Sequence, residues 1–302
     1  MQSKRRRTIQ SGSLSGEKPE RLGQDGITKV SSLEELSEEC VRNAEVNGIT
    51  LAYREFGSGH PLLLINGFAS TMDTWNPPLL ALLSQNFRVI IFDNRGTGYS
   101  TASDEPFSIP LFAKDTKALM DACGIDRANV LGLSMGASIA QELVLTCPGR
   151  VEKLILVSGT CGGDAGIRMK PEVWNRLSDK SGDLPELANR MFSVLFPESW
   201  LAAHDPWKYC PEVHETTREE IAARQAEAFF SWVGSWKRLP EIRCPTLVIT
   251  GADDGVIPPE NAAILAERIP GSQRVQFPGA GHGLQYQCPE EFTRAVLAFL
   301  GK

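Results

Sequence analysis

From about residue 49 onward, short apolar runs alternate along the chain with stretches whose apolar positions recur at helical spacing. A continuous apolar run is typical of a strand that is buried on both faces of a parallel sheet. Such strands are predicted at residues 62–65 and 88–92, and further strands of the same sheet at 129–133, 153–157, 246–250 and 274–277. Residues 49–56 are expected to form an early antiparallel strand pair. The alternation predicts an α/β fold with a mostly parallel, eight-stranded sheet flanked by helices.

The alternation stops between the sixth and the seventh predicted strand. Residues 159–239 contain no good candidate for a buried strand, but they hold helical segments rich in Trp, Phe and Met, most clearly at 184–195 and 219–232. A long helical insertion between two strands is typical of a lid or cap over a binding site. We therefore expect a core formed by residues 46–158 and 240–302, with a helical cap at 159–239.

The composition is that of an ordinary globular protein, with 302 residues, of which 42% are hydrophobic and 23% charged. The net charge of −6 gives no reason to expect nucleic acid or an anionic membrane as a partner. No apolar run is long enough to span a bilayer. The seven cysteines are odd in number and lack zinc or redox spacing, which is typical of reduced thiols and favours a cytoplasmic location. The sequence leaves the oligomeric state open.

The first 45 residues differ from the rest in having almost no large apolar side chains. A basic cluster at residues 4–7 is followed by Ser, Gly, Glu and Lys, without the apolar segment of a secretory signal. An organelle transit peptide or a nucleic-acid arm would also begin with such a cluster, although Glu17 and Glu20 weigh against the transit peptide. We expect residues 1–45 to be a disordered extension, with a short acidic helix at 32–40.

The segment Gly132-Leu133-Ser134-Met135-Gly136 matches a G-x-S-x-G pattern, and it lies between a predicted strand and a predicted helix. In that context the pattern predicts a tight turn that lifts the Ser134 hydroxyl above the sheet at the N-terminus of the helix. Such a turn strains the serine backbone and leaves no room for side chains two residues before and after it, so both positions need glycine. The sequence therefore predicts that Ser134 is a catalytic nucleophile.

A serine nucleophile needs a base, and His282 is the histidine in the right place. It lies in a glycine-rich loop after the last predicted strand, whereas the other three histidines precede a strand or lie in the expected cap. An orienting acid is expected after the seventh predicted strand, where Asp253 and Asp254 are adjacent and both could serve. The order Ser, Asp, His along the chain is the order expected of a triad whose serine lies on such a turn.

A triad of this kind also needs two backbone N–H groups to bind the oxyanion of the transition state. Met135 supplies one because it follows the nucleophile, and the other is expected from Phe68 in the loop after residues 62–65. Gly67 and Trp75 are expected to contact the substrate. Aromatic residues of the expected cap either line the lid or pack in its interior, namely Trp200, Trp207, Phe229, Phe230 and Trp232.

From about residue 46 to its C-terminus, the chain resembles the α/β-hydrolase superfamily. The motifs that carry the likeness are the elbow at Ser134, Asn66-Gly67-Phe68, Asp93-x-Arg95-Gly96-x-Gly98-x-Ser100 and Gly251-x-x-Asp254-x-x-Ile257-Pro258. The family pattern has its acid at the fourth position of the last motif, so the resemblance implies Asp254 rather than Asp253. The motifs and the cap look most like the branch of 3-oxoadipate enol-lactonases, non-haem haloperoxidases and small esterases. Ala137 departs from that branch, which often has a further glycine there.

The triad and the resemblance together predict a serine hydrolase that cleaves a small-molecule ester or lactone through an acyl-enzyme. Neither a cofactor nor a metal is required for this chemistry. Hydrolysis of a C–C bond, or haloperoxidase and perhydrolase activity, could use the same triad. An alternative of another class is a non-catalytic receptor that binds its ligand on a hydrolase scaffold.

Overall fold

The computed structural model describes residues 41–179 and 181–301, and the strands in these ranges form one eight-stranded sheet. The strands are β1 (Arg42–Val46), β2 (Ile49–Phe56), β3 (His60–Ile65), β4 (Phe87–Phe92), β5 (Ala128–Leu133), β6 (Val151–Val157), β7 (Thr246–Gly251) and β8 (Gln273–Phe277). Their order across the sheet is β1-β2-β4-β3-β5-β6-β7-β8. Pairing is antiparallel between β1 and β2 and between β2 and β4, and parallel elsewhere. The predicted mostly parallel, eight-stranded sheet is confirmed.

Helices cover both faces of this sheet. The α-helices within the described ranges are α1 (Pro77–Ser84), α2 (Ile109–Ala122), α3 (Met135–Thr146), α4 (Pro171–Ser178), α5 (Leu184–Leu195), α6 (Glu198–Leu201), α7 (Glu219–Phe230), α8 (Glu260–Arg268), α9 (Leu284–Gln287) and α10 (Pro289–Leu300). Helices α2, α3 and α8 pack on one face of the sheet, and α1, α9 and α10 pack on the other. In the part of the chain that the structure describes, no helix has both the length and the apolar character needed to cross a membrane.

The central strands are continuous apolar runs because both of their faces are buried. In β3, Leu62 and Leu64 belong to the apolar cluster on one side of the sheet, while Leu63 and Ile65 belong to the cluster on the other side. All four side chains are fully buried. Successive side chains of a strand point to opposite faces, so a strand covered by helices on both sides needs an apolar residue at every position.

The beginning of the sheet corrects two expectations from the sequence. Residues 49–56 form a single strand rather than a strand pair. Their antiparallel partner is β1 (Arg42–Val46), whose residues 42–45 the sequence assigned to the disordered extension at 1–45. The connection is a two-residue turn in which Asn47 and Gly48 both have positive φ, the Asn-Gly pattern typical of tight hairpins. Residues 1–40, with the basic cluster and the expected acidic helix, lie outside the described residues.

Helices α4, α5, α6 and α7 all lie between β6 and β7, where the sequence predicts a helical insertion. Helix α5 begins with a capping box, in which Asp183 accepts from the Glu186 amide and Glu186 accepts from the Asp183 amide. The end of the insertion is tied to α3 by Glu142, which accepts hydrogen bonds from the Trp232 indole at 2.8 Å and from the Arg238 guanidinium. The division of the chain at residues 159 and 239 stays a prediction.

Candidate active site

Ser134 lies at the junction of β5 and α3 in a strained conformation, with φ 57° and ψ −118°. Its neighbours explain the two glycines of the motif. A Cβ atom at Gly132 would lie 2.3 Å from the carbonyl oxygen of Gly136, and a Cβ at Gly136 would lie 2.1 Å from that of Ile65. No larger residue fits at either position without displacing backbone. The Ser134 side chain therefore lies at the N-terminus of α3, where the positive end of the helix dipole favours a developing negative charge.

His282 and Asp254 form a buried pair in the loops after β8 and β7. The His282 Nδ1 lies 2.9 Å from Asp254 Oδ2 and 3.1 Å from Asp254 Oδ1. Asp254 is 3% exposed, and its Oδ1 also accepts the backbone amides of Val256 and Ile257, both at 2.9 Å. Asp253 is exposed, and its side chain makes no hydrogen bond to another described residue. The contact with His282 thus belongs to Asp254, and it leaves Nε2 as the ring nitrogen that can accept a proton.

The three residues share the carboxyl edge of neighbouring parallel strands. Ser134 follows β5, Asp254 follows β7 and His282 follows β8, and these strands lie within one half of the sheet. Parallel strands present their carboxyl ends at the same edge, which brings the loops together although their residues are far apart in sequence. Within residues 41–179 and 181–301, Ser134 Oγ has no hydrogen-bond partner. The hydrogen bond between a nucleophile and its base is often long before substrate binds.

The loop after β3 passes directly beside the nucleophile. A Cβ atom at Gly67 would lie 3.1 Å from the Cβ of Ser134 and 3.7 Å from its Oγ, so the absence of a side chain allows this approach. The Gly67 amide donates to Asn66 Oδ1 at 3.1 Å. Neither the Phe68 nor the Met135 amide donates to another group in the described part of the chain. These two N–H groups, which the sequence predicts as the oxyanion hole, are therefore available to a substrate oxygen.

Side chains around the loop hold it in place. Asn66 Nδ2 donates to the Thr71 carbonyl at 2.6 Å and to Thr74 Oγ1 at 2.8 Å. Asp93, from the turn after β4, accepts the Met72 amide at 2.7 Å and the Tyr99 amide at 2.9 Å. Burial raises the pKa of Asp93 to about 6. The loop after β3, residues 66–71, is named the oxyanion loop below because the sequence predicts that it supplies an oxyanion donor. The turn of the Asp93 motif thus supports the oxyanion loop.

The insertion contributes an aromatic wall next to the oxyanion loop. The Phe68 ring centroid lies 5.8 Å from that of Trp174 in α4, and Trp174 packs edge-to-face against Phe230 of α7 at 4.7 Å. A cleft beside this wall is lined by Phe229, Phe230 and Trp232 from the insertion and by Ile257 from the loop that carries Asp254.

Trp174 was not among the aromatic candidates from the sequence, whereas Phe230 was, and Trp200 and Trp207 lie elsewhere in the insertion. Trp200 stacks on Phe196 at 4.6 Å and Trp207 meets Phe192 edge-on at 5.1 Å, so both pack within the insertion. Helix α4 is only eight residues long. A segment this short gives a weak periodic signal, which is why the sequence did not indicate Trp174.

Trp75 and Gly67 were both expected to contact the substrate, and the structure places them differently. Gly67 lies against Ser134, as described above. Trp75 is buried in the apolar cluster between the sheet and helices α1 and α10, on the face opposite to the Phe68 ring. At this position the ring packs in the core, and a contact between Trp75 and a substrate stays a prediction.

No group of three or more His, Cys, Asp and Glu side chains that could hold a metal ion occurs among residues 41–179 and 181–301.

Comparison with known proteins agrees with the fold. The model of the "Alpha/beta hydrolase family" matches residues 62–295. The chain is 32% identical over 243 residues to the provisionally named carbamate hydrolase RutD of Caulobacter sp. (strain K31), covering 79% of this chain and 90% of that protein. It is 31% identical over 273 residues to the provisionally named non-heme bromoperoxidase BpoC of Mycobacterium tuberculosis, covering 83% and 97%. The enol-lactonase structure from Burkholderia xenovorans LB400 is similar with a TM-score of 0.74 and 29% identity, covering 86% of this chain and 100% of that one.

Proposed function

The chain belongs to the alpha/beta hydrolase family, and from this premise we propose that it is a serine hydrolase that cleaves a carboxylic ester or lactone through an acyl-enzyme. The observation that carries the proposal is the buried pair of His282 and Asp254 at the sheet edge where the strained Ser134 lies. A histidine whose Nδ1 is held by a buried carboxylate presents Nε2 as a base, and a base is what a serine hydroxyl needs.

In the proposed reaction, His282 Nε2 removes the proton of Ser134 as Oγ attacks the carbonyl carbon. The resulting oxyanion accepts hydrogen bonds from the Phe68 and Met135 amides. His282 then gives its proton to the leaving oxygen, which departs as an alcohol or remains tethered if the substrate is a lactone. Water, activated by the same histidine, attacks the acyl-enzyme and releases the carboxylic acid with Ser134 restored.

The surroundings of the oxyanion loop favour an ester or lactone with an apolar acyl group. Trp174 and Phe230 form an aromatic wall against Phe68, and aromatic side chains favour apolar or aromatic groups. C–C bond hydrolysis and perhydrolysis would use the same three residues, so they are distinguished by substrate and not by the triad.

The proposal is tested first by labelling with a fluorophosphonate probe, which reacts with activated serines. Wild-type protein should be labelled, whereas Ser134→Ala and His282→Ala should each lose labelling. Ser138→Ala is the matched control because Ser138 lies one turn further along α3 and is fully buried, so its loss should leave labelling intact. A folded wild type that is not labelled would contradict the proposed mechanism and favour the non-catalytic receptor.

The substrate class is tested by comparing kcat/KM for p-nitrophenyl esters of increasing acyl length, a lactone, a carbamate and a vinylogous diketone. Esters or lactones with apolar acyl groups are expected to be the best substrates. Trp174→Ala should lower kcat/KM more for the longer esters than for the acetate, because it removes part of the wall. A preference for the carbamate or the diketone would refute the ester part of the proposal and retain the triad.

A further inference from the structure

A side chain of helix α7, within the insertion, holds the loop that carries the proposed oxyanion donor Phe68. The carboxamide oxygen Oε1 of Gln225 accepts the backbone amide of Ala69 at 2.8 Å. The hydroxyl of Thr217, which precedes α7, donates to the carbonyl oxygen of Ala69 at 3.0 Å. Both polar backbone groups of the residue after Phe68 are therefore bonded to the insertion and not to the core.

The orientation of the Gln225 amide follows from chemistry. A backbone N–H can donate only to an acceptor, so the oxygen and not the nitrogen must face Ala69. Gln225 is fully buried, and its Nε2 has no acceptor in the described part of the chain. The contact that Gln225 makes with the oxyanion loop is therefore made by its oxygen.

This contact acts on a residue whose backbone is unfavourable by itself. Ala69 has a φ of 52°, in the left-handed region that residues other than glycine rarely adopt. Its neighbour on the other side of Phe68, Gly67, is held from the core by Asn66. The Phe68 amide thus lies between one residue fixed by the core and one fixed by the insertion, and its direction depends on both.

We propose that Gln225 is a positioning residue for the oxyanion hole, through which the docked insertion holds the Phe68 amide in the direction that the transition state requires. The inference rests on the proposed serine-hydrolase function. Oxyanion stabilisation depends on donors that are already aimed before the reaction, so a loop free to leave the left-handed conformation should stabilise the oxyanion poorly. Substrate binding in the ground state depends on this hydrogen bond much less.

The test compares two substitutions of similar size in the full-length protein. Gln225→Met removes the acceptor for Ala69 and keeps the volume of the side chain. Gln225→Glu keeps an oxygen facing the Ala69 amide, and all variants are assayed near pH 6, where a carboxyl group buried at this position is protonated and as neutral as the amide it replaces. Glu227→Met, at an exposed position of α7, is the control for the new side chain. Circular dichroism and thermal unfolding establish that all variants are folded.

The measurements are kcat and KM for a p-nitrophenyl ester and Ki for a trifluoromethyl ketone, whose adduct with Ser134 carries an oxyanion. Removal of one oxyanion donor costs about 10²–10³ in kcat, and a misdirected donor should cost roughly tenfold or more. Gln225→Met should therefore lower kcat at least about tenfold, leave KM nearly unchanged and raise Ki by a similar factor. Gln225→Glu should retain most of the wild-type kcat and Ki.

Three outcomes would overturn the inference. A Gln225→Met variant with wild-type kcat would show that the loop holds its conformation alone. A rise in KM without a fall in kcat would assign Gln225 to substrate binding. A Gln225→Glu variant as impaired as Gln225→Met would show that the Ala69 contact is not the important one. Absence of esterase activity in the wild type would instead contradict the proposed function.

Discussion

Replacing Asp254 with asparagine tests how the proposed base is oriented. The two carboxylate oxygens of Asp254 have different partners: Oδ1 accepts the amides of Val256 and Ile257, whereas Oδ2 contacts only His282 Nδ1, at 2.9 Å. In Asp254→Asn, the amide nitrogen cannot occupy the Oδ1 position because it would face two backbone donors. It must therefore occupy the Oδ2 position and donate toward His282.

That arrangement changes the tautomer of the histidine. Nδ1 of His282 would have to accept from the new amide, which places the ring proton on Nε2, the nitrogen that should remove the proton of Ser134. In Ser-His-Asp enzymes the equivalent change lowers kcat by about 10⁴-fold, or about 5 kcal/mol of transition-state stabilisation. The bonds to Val256 and Ile257 are kept, so the free energy of unfolding should change by less than about 2 kcal/mol.

The assay is kcat for a p-nitrophenyl ester near pH 8, together with the rate of fluorophosphonate labelling. Asp253→Asn is the matched control, since it is the same chemical change one residue earlier at an exposed side chain without hydrogen bonds to described residues. Asp254→Asn should lose about four orders of magnitude, whereas Asp253→Asn should keep the wild-type rate. If Asp254→Asn stays within tenfold of wild type, or if Asp253→Asn is the inactive variant, the proposed orientation of His282 is wrong.

Three further predictions concern the stability of the fold. Gly136→Ala places a Cβ 2.1 Å from a β3 carbonyl oxygen, so it should lower the free energy of unfolding by more than about 2 kcal/mol, measured in urea; Gly149→Ala, which meets nothing within 4 Å, should be neutral. Trp232→Phe removes the indole bond to Glu142 and should cost about 2 kcal/mol in the same assay. Burial raises the pKa of Asp93 to about 6, so its contribution to stability is present at low pH and lost as pH rises through 6. Relative to Asp93→Asn, wild type should therefore lose ~2.4 kcal/mol between pH 4 and pH 7.

Each of these predictions has a result that would contradict it. Equal stability of Gly136→Ala and Gly149→Ala would mean that the elbow can widen to admit a side chain. An unchanged Trp232→Phe variant would show that Glu142 is satisfied by Arg238 alone. A stability difference between wild type and Asp93→Asn that does not vary with pH would show that Asp93 titrates in the folded protein as it does in the unfolded chain.

The sequence predicted best those features that depend on neighbouring residues. The strands β3 to β7 follow from apolar runs that need no knowledge of distant parts of the chain. The turn at Ser134 follows from two glycines whose spacing has one steric explanation, and the clashes that a Cβ atom would make at Gly132 and Gly136 agree with it. Strand β1 was missed because four of its five positions, including Arg42 and Glu45, are not large apolar residues, although the Asn-Gly turn that follows it was a usable signal.

The choice between Asp253 and Asp254 shows where the chain alone was insufficient. Both aspartates lie after the same strand, and residue type and position left both open, although the family motif favoured Asp254. The loop after β7 buries one carboxylate against two amides and His282 and turns the other toward solvent. That difference depends on the pairing of β7 with β8, which no local pattern encodes.

What the sequence determined by itself is the order along the chain of strands β3 to β8 and of the longer helices, together with the chemical identity of the proposed triad. Only the tertiary structure decided which parts of the chain each side chain contacts. Trp174 packs against Phe68, Trp75 lies in the core, and Gln225 accepts the Ala69 amide. Periodicity reports whether a side chain is buried, because burial follows from the faces of its own strand or helix. It does not report against what the side chain is buried, because that depends on how segments more than a hundred residues apart in the chain pack together.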